Sequence, residues 1–309
     1  MRAAVVTERS GAPSLRDVPE PRPIAGCKKI RVLAAGLQPT DILRSRGLYK
    51  TPQLPYIVGG EGVGLLDDGR RVYFGHSIPS SGACAEWTVV PDDEVWPLPE
   101  DIDEAQAIAL AIAGTGALIP IQQAKIQPDD NVLILGATGP VGQVAAQAAR
   151  MLGARRVVAA ARTKEPLLRL RERGVVDEIV QLGRGEDESA LKESAAGGYT
   201  VIFDAVFGEP LRAALRASRF HARVICVGSV AGFEVTLNRL EIARRTIYAV
   251  GTGYRPAAER QAVWEHLLSL SREARMSVDC VWFDFDRAQA AWTSQLGSPA
   301  GKIIVRVST

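Results

Sequence analysis

Asn131-Val132-Leu133-Ile134-Leu135-Gly136-Ala137-Thr138-Gly139-Pro140-Val141-Gly142 is the stretch whose reading decides the fold. Apolar residues on both faces of Val132–Leu135 suit a strand covered on both sides, as in the middle of a parallel sheet. The glycines that follow permit a tight turn with backbone close to a pyrophosphate, and the helix that starts there directs free N–H groups and its positive dipole end at an anion. Val141, Val144, Ala145, Ala148 and Leu152 form a narrow apolar stripe by which this helix packs on the sheet. A structural turn can share the glycine spacing, but the strand, turn and helix together favour a dinucleotide held by Gly136, Ala137, Thr138, Gly139, Pro140, Val141 and Gly142, with backbone amides from Gly136 onward as donors.

On either side of this stretch, apolar runs alternate with amphipathic ones. Strands are expected at Val132–Leu135, Val157–Ala161, Glu178–Leu182, Thr200–Ala205, Arg223–Val227 and Ile247–Val250, which is the pattern of a doubly wound α/β fold. Before it, short β-like runs such as Arg2–Thr7 and Ile30–Ala34 lie between proline and glycine clusters and predict a strand-rich domain. Ala107–Ile119 is too short for the roughly 18 residues of a membrane span. It reads as a buried helix and a turn at Gly114-Thr115-Gly116. After Tyr254 a helix over Ala257–Ser271 leads to a last strand, Lys302–Val307, expected to return to the first domain. The division is thus 1–116 with 255–309, and 117–254 for the nucleotide-binding part.

The strand Val157–Ala161 ends at Arg162, where NAD-binding proteins of this fold place a carboxylate on the ribose 2′-hydroxyl. A carboxylate would repel a 2′-phosphate, whereas Arg162, Thr163 and Lys164 neutralise it and donate hydrogen bonds, so NADPH is the expected cofactor. An ordinary solvated loop is the competing reading of these three residues. Val206, Gly228 and Ser229 follow other strand ends, where the fold opens its ligand crevice, and line the ribose and nicotinamide channel unless they are simple turns.

Charge and composition narrow the partners. A net charge of +2 spread along 309 residues points to neither nucleic acid nor an anionic membrane, and leaves a small-molecule substrate. Glu8 interrupts the apolar core that a secretory signal requires, which makes the cytoplasm the expected compartment. Cys27, Cys84, Cys226 and Cys280 form no CxxC pair, and His76, His221 and His266 are equally dispersed, so neither disulfides nor a metal is expected.

With these parts in place, the chain resembles zinc-independent quinone oxidoreductases of the medium-chain dehydrogenase/reductase superfamily. The resemblance rests on Met1-Arg2-Ala3-Ala4-Val5-Val6, Ala35-Gly36-Leu37-Gln38-Pro39-Thr40-Asp41, Arg46-Gly47-Leu48-Tyr49, Gly59-Gly60-Glu61-Gly62-Val63-Gly64 and Gly301-Lys302-Ile303-Ile304-Val305 around the glycine turn. It implies a GroES-like strand-rich catalytic domain beside a Rossmann domain, and a homodimer paired through Ile247–Val250. Zinc-containing relatives carry a cysteine in the segment here occupied by Gln38-Pro39-Thr40-Asp41 and a histidine where this chain has Gly60. Without a Lewis acid to hold an alkoxide, quinones or α,β-unsaturated carbonyls are the easier hydride acceptors. The resemblance places Gln38 against nicotinamide or substrate, makes Tyr49 either a proton donor or an aromatic wall, and brings Gly251 and Thr252 to the carboxamide. A lysine before a terminal strand reads as a solvated charge, so Lys302 is left out of the catalytic set. A metal-independent alcohol or carbonyl dehydrogenase and a non-catalytic NADPH sensor are the alternatives.

Overall fold

Asn131–Leu135, buried along its whole length, is a central strand of a six-stranded parallel sheet. The structure is a computed structural model and describes residues 1–50, 52–78, 80–251 and 255–308. The sheet runs Glu178–Gln181, Arg156–Ala161, Asn131–Leu135, Tyr199–Asp204, Ser218–Cys226, Thr246–Ala249. Strand order reverses beside Asn131–Leu135, so the crevice of a doubly wound fold opens at its carboxyl end, where the glycine turn begins. The helix Pro140–Met151 packs through Val144, Ala145, Ala146, Ala148 and Ala149. Leu152, assigned to that stripe from the sequence, is 39% exposed, because the helix ends at Met151 and Leu152 is its C-cap. Thr246–Ala249 is an edge strand with Ile247 and Tyr248 exposed.

This sheet belongs to a compact unit of Ala113–Arg255 with Arg275–Ser277; the other unit comprises Met1–Ile112, Pro256–Ala274 and Val278–Thr309. In the latter, Cys27–Leu37 is the organising strand. Eleven residues long, with a register shift between Val32 and Ala34, it pairs with Trp87–Pro91 along its first half. It pairs with Glu61–Leu65 from Arg31 to Gly36 and with the last strand, Lys302–Arg306, along its second half. The chain's end therefore does return to the first domain. Glu61–Leu65 and Arg71–Phe74 form a hairpin.

Gly114–Gly116 is not the expected turn. Helices Glu104–Ala109 and Ile112–Gln123 break at Leu110-Ala111, and the three residues lie inside the second helix. That helix is buried on almost every side, so small residues serve close packing there and tertiary contact outweighs their weak helix propensity. Among the described residues no helix is long and apolar enough to cross a membrane.

A polar network fastens the helix Ala257–Arg272 to the strands of its own unit. The Arg260 guanidinium pairs with Glu94, whose Oε2 lies 3.0 Å from Arg260 Nη1 and 3.0 Å from His76 Nδ1. Burial alone would raise the Glu94 carboxyl, but hydrogen bonds from His76 and Arg260 outweigh it and hold it at about 2. A depressed folded-state value stabilises the protein above the ordinary glutamate range of about 4.3, and this contribution disappears as pH falls towards the folded-state value. Glu94→Gln is therefore expected to lower stability near neutral pH, with the deficit shrinking between about pH 4.3 and 2. Urea unfolding of both proteins across that window checks it; a deficit independent of pH would contradict the account.

Candidate active site

Each glycine of the turn has a separate structural reason. Gly136 has φ +75°, and a Cβ there would lie 2.7 Å from Val206 Cγ1. At Gly142 a Cβ would lie 2.2 Å from the Gly136 carbonyl oxygen, so only glycine lets the helix start against the turn. Gly139 is different: a Cβ would meet only the Gly136 oxygen, at 3.5 Å, and the space beyond it is open for a ligand.

The donors are not the full run expected from the sequence. The Gly136 and Ala137 N–H groups both donate to the Ala160 carbonyl, at 2.9 and 3.1 Å, and Gly139 N–H donates to Gly136 O. These bonds tie the turn to the neighbouring strand and make it rigid, which is why the first amides do not serve as donors. The amides of Thr138, Val141 and Gly142 make no hydrogen bond among the described residues, as the open first turn of a helix leaves them. Three donors around an open glycine suit a pyrophosphate.

Arg162 stands exposed at the end of Arg156–Ala161, with its carbonyl held by Gln181 Nε2 at 3.0 Å. Thr163 is the N-cap of helix Lys164–Glu172, so three polar side chains gather at one strand end. Asp204, which sequence reasoning did not single out as a side chain, shapes the adjoining turn. Its Oδ1 accepts from the amides of Val206 and Phe207 at 2.9 and 2.8 Å, holding Phe207 at φ +61°, a region costly for a residue with a side chain. This fixes Val206 over Gly136. Burial pushes the Asp204 carboxyl up, and its Oδ2 is buried without a hydrogen-bond partner among the described residues. A Cβ on Gly228 would lie 2.1 Å from the Ala205 oxygen, so Gly228 allows two strand ends to approach, with Ser229 following it. Gly251 is exposed beyond the last strand. Thr252 lies outside the described residues.

In the strand-rich unit, Gln38 precedes the short helix Pro39–Ser45, its amide donating to Asp41 Oδ2 at 2.8 Å. Thr40 Oγ1 donates weakly to Gln38 Oε1, at 3.4 Å, and Nε2 makes no hydrogen bond among the described residues. Arg44 joins the two residues expected from the sequence. A Cβ built on Gly60 would lie 3.2 Å from Arg44 Nη1 and 3.9 Å from Gln38 Nε2, while the guanidinium carbon sits 5.9 Å from the Tyr49 ring centre. Gln38 and Tyr49 are thus neighbours through Arg44. Burial raises the Asp41 carboxyl despite the opposing pull of Arg44, the Gln38 amide and Lys302.

Lys302 is not solvated. It is 3% exposed and its Nζ pairs with Glu61, itself wholly buried, whose other oxygen accepts from Tyr73 OH at 2.9 Å. The strand Lys302–Arg306 is interior to its sheet and carries the lysine inward, a placement that no local pattern announces. Glu61 is thereby fully engaged. Among the described residues no three His, Cys, Asp or Glu side chains converge on one point, and all four cysteines are free. The donor set near Gly60 does not fit a bound zinc.

Comparison with known proteins adds the context that geometry alone lacks. Residues 140–270 match the family described as Zinc-binding dehydrogenase. The chain is 30% identical over 251 residues to "Quinone oxidoreductase" of Rattus norvegicus, covering 76% of this chain and 75% of that protein. It is 28% identical over 265 residues to "Quinone oxidoreductase-like protein 2" of Mus musculus, covering 81% and 74%. Among solved structures, the quinone oxidoreductase of Thermus thermophilus, described free and in complex with NADPH, superposes with a TM-score of 0.80 at 28% identity, over 99% of this chain and all of the other. Taken with the strand order and the glycine turn, these relationships establish that the chain belongs to the quinone oxidoreductase-like branch of the medium-chain dehydrogenase/reductase superfamily.

Proposed function

We propose that the chain is an NADPH-dependent oxidoreductase that reduces quinones or α,β-unsaturated carbonyls without a metal. The observation that carries the reading is the pairing of an open glycine turn, with its unengaged Thr138, Val141 and Gly142 amides, and an arginine at the next strand end. The complex of the Thermus relative with NADPH supports the choice of nucleotide. When bound, NADPH supplies the hydride.

The chain's own residues do the rest. Thr138, Val141 and Gly142 amides hold the pyrophosphate, Arg162 with Thr163 and Lys164 holds the 2′-phosphate, and Val206, Gly228, Ser229 and Gly251 flank the ribose and nicotinamide. Gln38 offers its Nε2 protons to the substrate oxygen, where charge develops, and Tyr49 closes the pocket as a wall or a hydroxyl donor. A conjugated oxygen spreads that charge and needs less help than the alkoxide of a simple alcohol. The misfit of the donors near Gly60 to zinc supports a metal-free reaction.

The test mixes protein and NADPH with a panel of quinones, enones and simple aldehydes, followed by nicotinamide absorbance before and after chelation. Oxidation with quinones or enones, unchanged by chelator, is expected. Turnover restricted to aldehydes would support a carbonyl dehydrogenase instead, turnover abolished by chelator would defeat the metal-free reading, and no turnover with any acceptor would favour a binding-only protein.

A further inference from the structure

We propose that Arg44 is the catalytic cation of the strand-rich unit, the group that receives the negative charge of the acceptor oxygen; this rests on the reductase function proposed above. The side chain is 24% exposed, and its nearest charged partner is Asp41 Oδ1, 3.6 Å from Nη1 and beyond hydrogen-bond range. A guanidinium carries five N–H donors, and among the described residues none of those of Arg44 makes a hydrogen bond. Gln38 Nε2 flanks the same point above Gly60, and it too donates to nothing among those residues. Tyr56 is 6% exposed with its hydroxyl buried and without a hydrogen-bond partner among the described residues. Burial pushes that phenol up to about 12, and the charges acting on it are those of Asp41, Arg44 and Arg9.

Two donor groups, Arg44 Nη1 and Gln38 Nε2, thus meet over a residue without a side chain, and the buried Tyr56 hydroxyl within the field of Arg44 is a polar group of the kind that is nearly always satisfied, so the cluster describes a site that lacks an acceptor. Asp41 does not fill the role, because one of its oxygens already takes the Gln38 amide and the other stands off from Arg44. The remaining charges near the cluster are Glu61 and Lys302, which are paired with each other, and Lys50, which lies 5.6 Å from the Tyr49 ring centre. An oxyanion is the acceptor these donors fit. Hydride addition to a quinone or enone breaks a π bond of the acceptor, which gains two electrons as the nicotinamide loses them. The electron pair moves to the conjugated oxygen, and a proton from water completes the reduction. Arg44 lowers the cost of the anion formed before that proton arrives.

The probe is 4-nitrophenol, whose ionisation is read directly by absorbance and needs neither nucleotide nor turnover. Wild-type protein is expected to bind the phenolate at least tenfold more tightly than the phenol and so depress the apparent ionisation midpoint of the bound probe. Arg44→Met should abolish that preference and Arg44→Lys retain part of it, with thermal unfolding confirming that both variants fold. In parallel, Arg44→Met should lower kcat/KM for quinone reduction about 100-fold while NADPH binding, read by nucleotide fluorescence, changes less than twofold. The same phenolate preference in wild type and Arg44→Met, or no preference in wild type, would overturn the proposal. A preference that depends on Arg44 in a protein that reduces no quinone or enone would instead overturn the reductase reading and leave the oxyanion site standing.

Discussion

Lys302→Met is expected to cost about 3–5 kcal/mol of folding stability, the usual range when one member of a buried ion pair is removed. The pair is closed on all sides: Lys302 is 3% exposed and Glu61 wholly buried, while a Cβ on Gly36 would lie 2.9 Å from Lys302 Cε. Methionine keeps the volume, so the loss measures the stranded Glu61 charge more than a cavity. The double variant Glu61→Gln with Lys302→Met removes both charges and should recover most of the deficit, a non-additivity expected of groups in direct contact. Urea unfolding midpoints at unchanged slope give the comparison. A single variant within about 1 kcal/mol of wild type would show that the charge is not held as the structure places it.

Arg162→Asp is expected to raise the NADPH dissociation constant about 100-fold, or about 2.7 kcal/mol, and that of NADH no more than about threefold. The substitution replaces a cation by the carboxylate that NAD-binding members of the fold use to bind the ribose, and a carboxylate repels the 2′-phosphate. Because Arg162 is exposed at a strand end, its replacement should leave folding almost untouched, within about 0.5 kcal/mol. Calorimetric titration with both nucleotides decides the matter; equal losses for the two would refute the role assigned to Arg162.

The two halves of the chain differ in how much of them could be read in advance. In the nucleotide-binding unit, strand, turn and helix are local, and period and glycine spacing located all six strands and the turn, five of the strands to within one residue at each end, while Ser218–Cys226 begins five residues before the expected Arg223. What failed there was long-range: the Gly136 and Ala137 amides are satisfied by Ala160, more than twenty residues away, and Leu152 is left 39% exposed at the end of its helix. In the strand-rich unit the important contacts are almost all distant in sequence. Lys302 meets Glu61, Arg260 meets Glu94, and Gly60 lies beside Arg44, none of which is signalled by spacing.

The amino-acid sequence by itself determined the doubly wound topology, the position of the phosphate-binding turn and the cation at the following strand end, because backbone conformation and burial pattern over a dozen residues specify those features locally. The tertiary structure decided which amides remain unengaged, which charges are buried in pairs, and that Arg44 lies between Gln38 and Tyr49. Hydrogen-bond satisfaction and desolvation depend on what the rest of the chain brings alongside a group, and only the folded arrangement sets that.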